Sequence, residues 1–295
     1  MKAALLSDRG VVKVVGEDAR KFLHGLLTAN IETMTPGDAR YGALLTPQGK
    51  IITDCIVVEA KPDTGGGFFI DCPRALASSF ATKLNFYKLR ASVMVEDLSE
   101  TLGVLAAWDG TGTTEYGLCY TDPRLPALGL RVMIPPHLAQ KAADDLGAAL
   151  VDVAEYESHR IALGIPRGGA DFAYGDAFPH EADMDQLAGV DFKKGCFVGQ
   201  EVVARMQHRG TARTRIVTAE YEGAAPEAGV AMMAGEKNVG TFGTAANGRG
   251  IALVRLDRVA DALAAGASIE AGGVPMKIVT PTWAQFTISD PTKAT

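Results

Sequence analysis

One stretch of the chain places a cysteine between two glycines and behind two lysines: Lys193-Lys194-Gly195-Cys196-Phe197-Val198-Gly199-Gln200-Glu201. The apolar run that follows predicts a short helix over 201–208, which Gly210 would end. Cys196 then lies in the loop before a helix N-terminus, where unpaired backbone N–H groups and lysine charge favour a thiolate. The glycines allow a tight turn and close approach of a ligand. A buried cysteine that acts as a small apolar residue is the alternative, but its neighbours favour a functional thiol.

The composition is that of an ordinary globular protein. The chain has 295 residues, a net charge of −6, 47% hydrophobic and 22% charged residues, which predicts two domains or three small ones. The negative charge argues against a dedicated nucleic-acid-binding protein, although a local basic patch is possible. Apolar runs such as 251–254 are too short to cross a membrane. We therefore expect neither nucleic acid nor a membrane as a partner.

Cysteine usage and the N-terminal residues bear on the compartment. The four cysteines, Cys55, Cys72, Cys119 and Cys196, are scattered without a CxxC pair or a Cys/His cluster. This pattern is typical of a reducing compartment and offers no spacing for metal ligands. Residues 1–9 meet charge too early for a secretory signal and lack the Arg- and Ser-rich composition of a transit peptide. These features predict a cytoplasmic protein without a metal site.

The first half of the chain predicts two domains that mix strands and helices. Residues 1–98 give the order strand, helix, strands, helix, strand, which is typical of an α+β domain with a largely antiparallel sheet. A second, similar run over 99–153 contains three strands and a helix predicted from Pro135 to about Leu150.

The second half predicts a connecting segment and a β domain. The segment 154–212 contains one helix, the aperiodic stretch 168–191 and the Cys196 loop, and we expect the chain to return to the first domain near 155–210. A loop of that length is usually functional or mobile. From 213 to 288, short strands are punctuated by glycines, which predicts a small β-barrel or sandwich.

Six cations fall between residues 193 and 215, with only Glu201 to oppose them. They are Lys193, Lys194, Arg205, Arg209, Arg213 and Arg215. On an acidic protein such a basic block indicates an anionic partner, although charge runs are also common on solvated faces. Aromatic residues do not interleave with the arginines, which disfavours nucleic acid. A small molecule with several carboxylates and an acidic partner protein fit the block equally well.

Two carboxylates lie where a polar side chain needs a partner, a pocket or solvent. Asp54 falls in the middle of a predicted strand, where aspartate is disfavoured, and Gln48 and Lys50 on the preceding turn could complete a polar site. Glu181, in the aperiodic stretch, is similarly either exposed or part of a site. No Ser/His/Asp triad, zinc motif or phosphate loop can be placed on the sequence, so those chemistries are set aside.

The segment 194–201 resembles the K-G-C-[FY]-x-G-Q-E signature of the YgfZ-type folate-binding proteins. These are relatives of the glycine-cleavage T-protein and are implicated in iron–sulfur cluster maturation or repair. The likeness covers nearly the whole chain, and weaker blocks follow in the family's order: 5–31, 45–50, 87–90, 160–166 and 179–181.

This resemblance implies a ring of three domains around a central hole that binds tetrahydrofolate. Two would be α+β domains with antiparallel sheets, and the last a C-terminal β-barrel. It also implies that Cys196 is the functional thiol, that Lys194 is its neighbour in the folate site, and that Asp54 approaches the folate. The remaining cofactor-binding residues are expected in the matched blocks and the basic block: Asn30, Gln48, Arg90, Glu181, Gly195, Gly199, Gln200, Glu201 and Arg205.

The resemblance predicts a tetrahydrofolate-binding accessory factor that assembles or repairs iron–sulfur clusters. Cys196 would be a nucleophile, a redox thiol or a transient cluster ligand. Since clusters are normally held by four protein ligands, one cysteine implies that a bound cluster needs a partner protein, such as an assembly or client protein, a second subunit or a small thiol. The alternatives are a folate-dependent aminomethyltransferase and a docking module that uses the basic block. Two departures disfavour aminomethyl transfer, because T-proteins carry a pterin-binding glutamate at the position of Ala162 and tend to have paired acids in place of Thr53-Asp54.

Overall fold

The computed structural model describes residues 1–210 and 212–288. The chain divides into two compact units. Unit 1 comprises Met1–Leu45, Ile52–Tyr156 and Leu187–Val198, and unit 2 comprises the other described residues. The division into four segments expected from the sequence stays a prediction.

The first half of the chain alternates strands with three α-helices, besides short 3-10 turns. In order these are β1 (Lys2–Leu6), β2 (Arg9–Val15), α1 (Ala19–Leu26), β3 (Ala39–Leu45), β4 (Ile51–Glu59), β5 (Phe68–Pro73), α2 (Arg74–Tyr87), β6 (Met94–Asp97), β7 (Gly103–Trp108), β8 (Leu118–Thr121), β9 (Leu130–Ile134), α3 (Ala139–Asp145) and β10 (Ala149–Leu150).

These strands form two five-stranded sheets, in the orders β3-β4-β5-β2-β6 and β10-β1-β7-β9-β8. Strand β5 pairs antiparallel with both β4 and β2, and β7 pairs antiparallel with both β1 and β9. The short contact between β1 and β10 is parallel. The predicted α+β class with antiparallel sheets is therefore confirmed. The N-terminal strand β1, which the sequence pattern did not reveal, lies inside the second sheet.

Helices α1 and α2 pack against the first sheet in unit 1. Helix α1 buries Leu23 and Leu26, and α2 buries Phe80 and Leu84, which are spacings that place each pair on one helix face. These side chains join strand residues such as Val12 in one apolar core. Because this core fixes α1, it also fixes the position of the helix's C-terminal carbonyl groups.

The helix predicted from 135 to about 150 is shorter than expected. Helix α3 ends at Asp145, and Gly147 has a φ of +64°, a left-handed conformation that glycine adopts without strain. The next residues, Ala149 and Leu150, form the strand β10 beside β1. The apolar spacing of the segment continued through the turn, so the pattern alone did not show where the helix ends.

The second half of the chain contains three helices and a barrel. Its elements are α4 (Val153–Ala162), α5 (Gln200–Arg209), β11 (Thr214–Glu220), β12 (Ala231–Ala234), β13 (Lys237–Ala246), β14 (Arg249–Arg255), α6 (Leu256–Ala264), β15 (Ile269–Ala271) and β16 (Val274–Val279). The six strands close into a barrel in the order β11-β14-β13-β12-β15-β16, which confirms the predicted C-terminal β-barrel. Helix α6 was not predicted, although it buries Leu256, Val259 and Ala262 at helical spacing.

The connection between α4 and α5 has no helix or strand, as the aperiodic stretch predicted, and buried arginines hold its first part in unit 2. Arg160 Nη1 donates to Asp171 Oδ2 at 3.0 Å. Arg215 Nη1 donates to Asp185 Oδ1 at 2.6 Å and lies 3.3 Å from Asp183 Oδ1. Arg215 is fully buried, so the expectation that it belongs to an exposed basic block is wrong. None of the helices in the described ranges combines the length and apolarity that crossing a membrane requires.

Candidate functional site

Cys196 is the exposed cysteine of the chain. All four thiols are free, but Cys55 and Cys72 are buried in the first sheet and Cys119 is partly buried. The loop that carries Cys196 is tethered on its C-terminal side by Val198, which packs against the apolar core of unit 1. The alternative of a buried Cys196 is therefore excluded.

Lys194 fixes the loop to the end of helix α1. Its Nζ donates to the backbone carbonyls of His24, Leu27 and Ala29, the last at 2.8 Å. A cation is stabilised at a helix C-terminus by the helix dipole. An ammonium group has three N–H donors, and here all three are taken by the main chain. Lys194 therefore acts on the position of Cys196 rather than through a free donor.

Burial lowers the pKa of Lys194 to about 8, while the nearby Asp191 carboxylate acts in the opposite direction. The ammonium therefore keeps its charge at neutral pH and loses it in mildly alkaline solution. Its Nζ also lies 5.1 Å from the centre of the Phe197 ring, within range of a cation–π contact. The two residues on either side of the Gly195-Cys196 dipeptide thus contact each other.

Asp191 orders the same N-terminal part of the loop. Its Oδ1 accepts hydrogen bonds from the backbone N–H groups of Lys193 at 2.7 Å and Lys194 at 3.0 Å. Its own N–H donates to the carbonyl of Thr28 at 3.0 Å. Burial acts to raise the pKa of Asp191, but hydrogen bonds from the Lys193 amide, the Asn30 side chain and the Lys194 amide outweigh it and lower the pKa. Asp191 is consequently a carboxylate that orders the loop.

A cavity of about 450 Å³ lies in unit 1 next to this anchored loop. It is lined by Ala29, Asn30, Thr33, Arg40, Ala188, Val190, Asp191, Phe192 and Lys193. The lining combines apolar walls with two cations and a carboxylate. The Asn30 Oδ1 atom is buried and has no hydrogen-bond partner within the described part of the chain. Such an atom is costly to leave unpaired, and the residue that carries it lines the cavity.

His24 is a residue of this site that sequence reasoning missed. Its Nδ1 accepts the backbone N–H of Glu32 at 3.2 Å, which leaves the proton on Nε2 in the neutral ring. A Cβ atom placed on Gly195 would lie 4.0 Å from that Nε2, so the ring faces the main chain just before Cys196. Burial first, and then the charge of Lys194, lowers the pKa of His24. A lone histidine at a helix end gave no signal that could have revealed this contact.

Asp54 and Arg90, both predicted to bind the cofactor, lie elsewhere in unit 1 and do not line the cavity. Asp54 is buried in β4, where its Oδ2 accepts the hydroxyl hydrogen of Tyr41 at 3.1 Å. Arg90 is exposed just after α2. The cavity brings together Asn30 and the residues that lead to Lys194, Gly195 and Cys196, and the roles of Asp54 and Arg90 stay predictions.

The predicted site residues of unit 2 lie near α5 or in the loops before it. Gly199 caps α5 with a φ of +81°, and Gln200 and Glu201 form its first turn. Glu201 Oε1 pairs with Arg205 Nη2 at 2.7 Å on the exposed surface. Glu181 Oε2 accepts the backbone N–H of Phe178 at 2.8 Å, and Gln48 is exposed on the turn between β3 and β4. Their predicted contacts with a cofactor stay untested.

The donor set does not suggest a resident metal. In residues 1–210 and 212–288, His, Cys, Asp and Glu side chains do not gather in groups of three or more that could hold a metal ion. The groups available for chemistry at this site are the Cys196 thiol and the neutral His24 imidazole, with the cavity beside the loop.

Two family models match separate parts of the chain. The GCVT N-terminal domain matches residues 6–108, and the CAF17 C-terminal beta-barrel domain matches residues 213–286. A curated relative from Mus musculus, the mitochondrial iron–sulfur cluster assembly factor IBA57, is 30% identical over 310 residues, covering 94% of this chain and 84% of the relative. The chain belongs to the IBA57 family. The relationship predicted from the 194–201 segment is thereby confirmed.

Fungal IBA57 homologues are longer than this chain. The homologue of Mycosarcoma maydis is 34% identical over 233 residues, which are 75% of this chain and 57% of the relative. The chain thus spans little more than half of that protein.

A solved structure, the glycine cleavage system aminomethyltransferase T of Bartonella henselae, superposes with a TM-score of 0.75 at 16% identity. It covers 96% of this chain and 86% of that one. This likeness shows that the two proteins share a fold.

The IBA57 comparison corrects the predicted compartment. The relatives are named as mitochondrial proteins, and the prediction of a cytoplasmic protein is wrong on this finding. That prediction rested on scattered free cysteines, which indicate a reducing compartment. Free cysteines do not distinguish the cytoplasm from the reducing interior of an organelle.

Proposed function

We propose that this chain is a tetrahydrofolate-binding factor in the assembly of iron–sulfur clusters and that Cys196 is its functional thiol. The observation that carries the proposal is the exposed Cys196 on a loop that Lys194 and Asp191 fix to the end of α1. Membership of the IBA57 family, whose relatives are named iron–sulfur cluster assembly factors, supports the process. The fold shared with an aminomethyltransferase supports a folate ligand.

The cavity beside the loop fits a folate by its chemistry. The orphaned Asn30 Oδ1 is an acceptor for the amino or ring N–H donors of a pterin. Arg40 and Lys193 supply positive charge for carboxylates, and the Arg40 side chain is 40% exposed, which suits a ligand tail that reaches solvent. Cavities of a few hundred cubic ångströms are ordinary for such ligands. Folate, when bound, supplies a one-carbon carrier or a redox-active ring.

The protein's own residues then act on the thiol. Lys194 and Asp191 hold the main chain before Cys196 and Val198 holds it after, so Cys196 is presented without first ordering a flexible loop. His24 is neutral at pH 7 and keeps its Nε2–H toward the same stretch. In this position the ring offers a neutral N–H donor beside Gly195.

A single cysteine leaves the cluster chemistry incomplete. Clusters are normally held by four protein ligands, so the cluster is cargo shared with a partner that supplies the remaining ligands. The exposure of Cys196 makes its sulfur available to such a partner. We therefore place the chain beside a cluster-carrying assembly protein or a client enzyme.

Complementation tests this function. A strain that lacks the chain would receive wild type, Cys196→Ser or Cys119→Ser, and the activity of a [4Fe–4S] enzyme would be measured together with the amount of each variant. We expect wild type and Cys119→Ser to restore activity and Cys196→Ser to fail at equal abundance. Equal rescue by Cys196→Ser would remove the thiol from the function.

A further inference from the structure

Large apolar side chains lie in solvent at the end of helix α2. Phe86 is 78% exposed and Leu89 is 87% exposed. Helix α2 buries its opposite face through Phe80 and Leu84, so Phe86 falls outside the stripe that the core requires. Its ring meets that of Tyr87 edge to face at 5.7 Å between centres. Grouped exposed apolar side chains of this size mark interaction surfaces.

Leu89 is held in an unfavourable backbone conformation. Its φ of +46° is left-handed, a region that costs an L-residue energy and is usually occupied by glycine just after a helix. Leucine at this position therefore carries backbone strain and leaves an apolar side chain in water. Neither feature helps the chain to fold, and strain retained in this way is typical of functional positions.

A cavity of about 410 Å³ lies beside these side chains, within unit 1. Its lining is mainly apolar and includes three charged residues. The lining residues are Asp18, Lys21, Phe22, Gly25, Leu26, Tyr87, Lys88, Leu89 and Ala91. The cavity is separate in its lining from the one beside the Cys196 loop. A large apolar side chain of another molecule fits a space of this size.

The charges around the cavity have one dominant sign. Two cations, Lys21 and Lys88, line the cavity, and Arg90 follows Leu89 in the chain; none of the three has an ion-pair partner within 4.0 Å in the described residues. The acid that lines the cavity, Asp18, accepts the backbone N–H of Ser92 at 2.7 Å. On a chain with a net charge of −6, this unpaired positive rim is complementary to an acidic partner.

We propose that the end of α2 is a docking surface for a partner protein. The partner inserts one apolar side chain into this cavity, and acidic residues surround that side chain on the partner. Phe86 and Leu89 provide the apolar contact, and Lys88 and Arg90 provide the charge. Arg90, which the sequence resemblance placed with the cofactor, belongs to this surface. The surface lies outside the Cys196 site, so the proposal stands or falls independently of folate binding.

The test begins with a displayed library of short random peptides selected on the wild-type protein. We expect the selected peptides to share aspartate or glutamate around one Leu, Phe or Trp. A synthetic consensus peptide, titrated by fluorescence anisotropy, should lose about tenfold or more in affinity with Leu89→Gly and with Lys88→Glu. Two matched controls, the exposed Leu263→Ala and Lys141→Glu, should keep wild-type affinity.

Leu89→Gly separates docking from folding. Glycine adopts the φ of +46° without strain, so this variant should unfold at the same temperature as wild type or higher while it loses the peptide. A consensus without acids, or a peptide that binds all variants equally, would overturn the proposal. Self-association in sedimentation or binding to anionic lipid vesicles, if abolished by Leu89→Gly in place of peptide binding, would overturn it by naming a different occupant.

Discussion

The Lys194 ammonium donates a hydrogen bond to the carbonyl oxygen of Leu27, across 167 residues of sequence. This contact joins the cysteine loop to the end of α1 at a place where the helix has carbonyl groups without helical partners. Two further carbonyls, those of His24 and Ala29, share the same ammonium. The Lys194 ammonium therefore serves to hold the Cys196 loop to the end of α1.

Lys194→Met keeps an aliphatic side chain but leaves three carbonyls without their donor. This loss should destabilise the protein by about 1–3 kcal/mol. Urea unfolding measures the change. Lys193→Met is the matched control, since Lys193 is exposed and its loss should change stability by no more than about 0.5 kcal/mol. Equal losses for the two variants would contradict the anchoring role of Lys194.

Asp191→Asn should remove a pH-dependent part of the stability. The folded protein lowers the pKa of Asp191 below its usual 3.8, so the carboxylate stabilises the fold above that pH and loses the effect as pH falls through the folded value. The difference in unfolding free energy between wild type and Asp191→Asn should therefore be largest near pH 7 and shrink below about pH 4. A difference that does not vary with pH would show that the charge of Asp191 is not used.

The two glycines that flank Cys196 should respond differently to alanine. Gly199 has a φ of +81°, so Gly199→Ala should cost about 1–2 kcal/mol of backbone strain. Gly195 is not left-handed, and its added Cβ would meet only His24 Nε2, at 4.0 Å. Gly195→Ala should therefore stay within about 0.5 kcal/mol of wild type in urea unfolding. The reverse order of the two losses would contradict the loop geometry.

His24 should titrate below its usual value of 6.5, because burial and the charge of Lys194 both lower its pKa. The ring-proton resonances in NMR report this directly. In Lys194→Met the pKa of His24 should move upward, since the neighbouring positive charge is gone. On acidification the unfolded chain protonates His24 first, so the stability that His24 contributes falls below about pH 6.5. If the pKa of His24 is the same in wild type and in Lys194→Met, the charge of Lys194 does not act on His24.

Much of the fold follows from local pattern. The order of strands and helices predicted for residues 1–98 indicated an antiparallel α+β domain, and the glycine-punctuated short strands of residues 213–288 indicated the barrel. The elements that were missed are short or carry mixed signals. Strand β1 is five residues long, and α6 interrupts a region dominated by strands. Hydrophobic periodicity predicts long helices and strands, whereas whether a short segment forms a strand or a helix depends on its tertiary contacts.

The site was only partly accessible from sequence. The motif pointed to Cys196 and Lys194, but a lysine's sign of charge does not tell whether it faces a ligand or the main chain. Arg215 looked like a surface cation and is buried against Asp185, 30 residues earlier. The cavity needs Asn30 beside Asp191, and that proximity depends on how the loop returns to α1. The local spacing of residue types does not predict contacts between segments that are distant in sequence.

The proposed binding of tetrahydrofolate beside the cysteine loop is the central claim, and anaerobic calorimetry tests it most directly. Tetrahydrofolate would be titrated into wild type, Asn30→Leu, Cys196→Ser and the distant control Lys141→Ala. We predict binding to wild type, Cys196→Ser and Lys141→Ala, and a loss of about tenfold or more in affinity for Asn30→Leu, which removes the buried acceptor. Absence of binding to wild type, or equal binding to Asn30→Leu, would contradict the account.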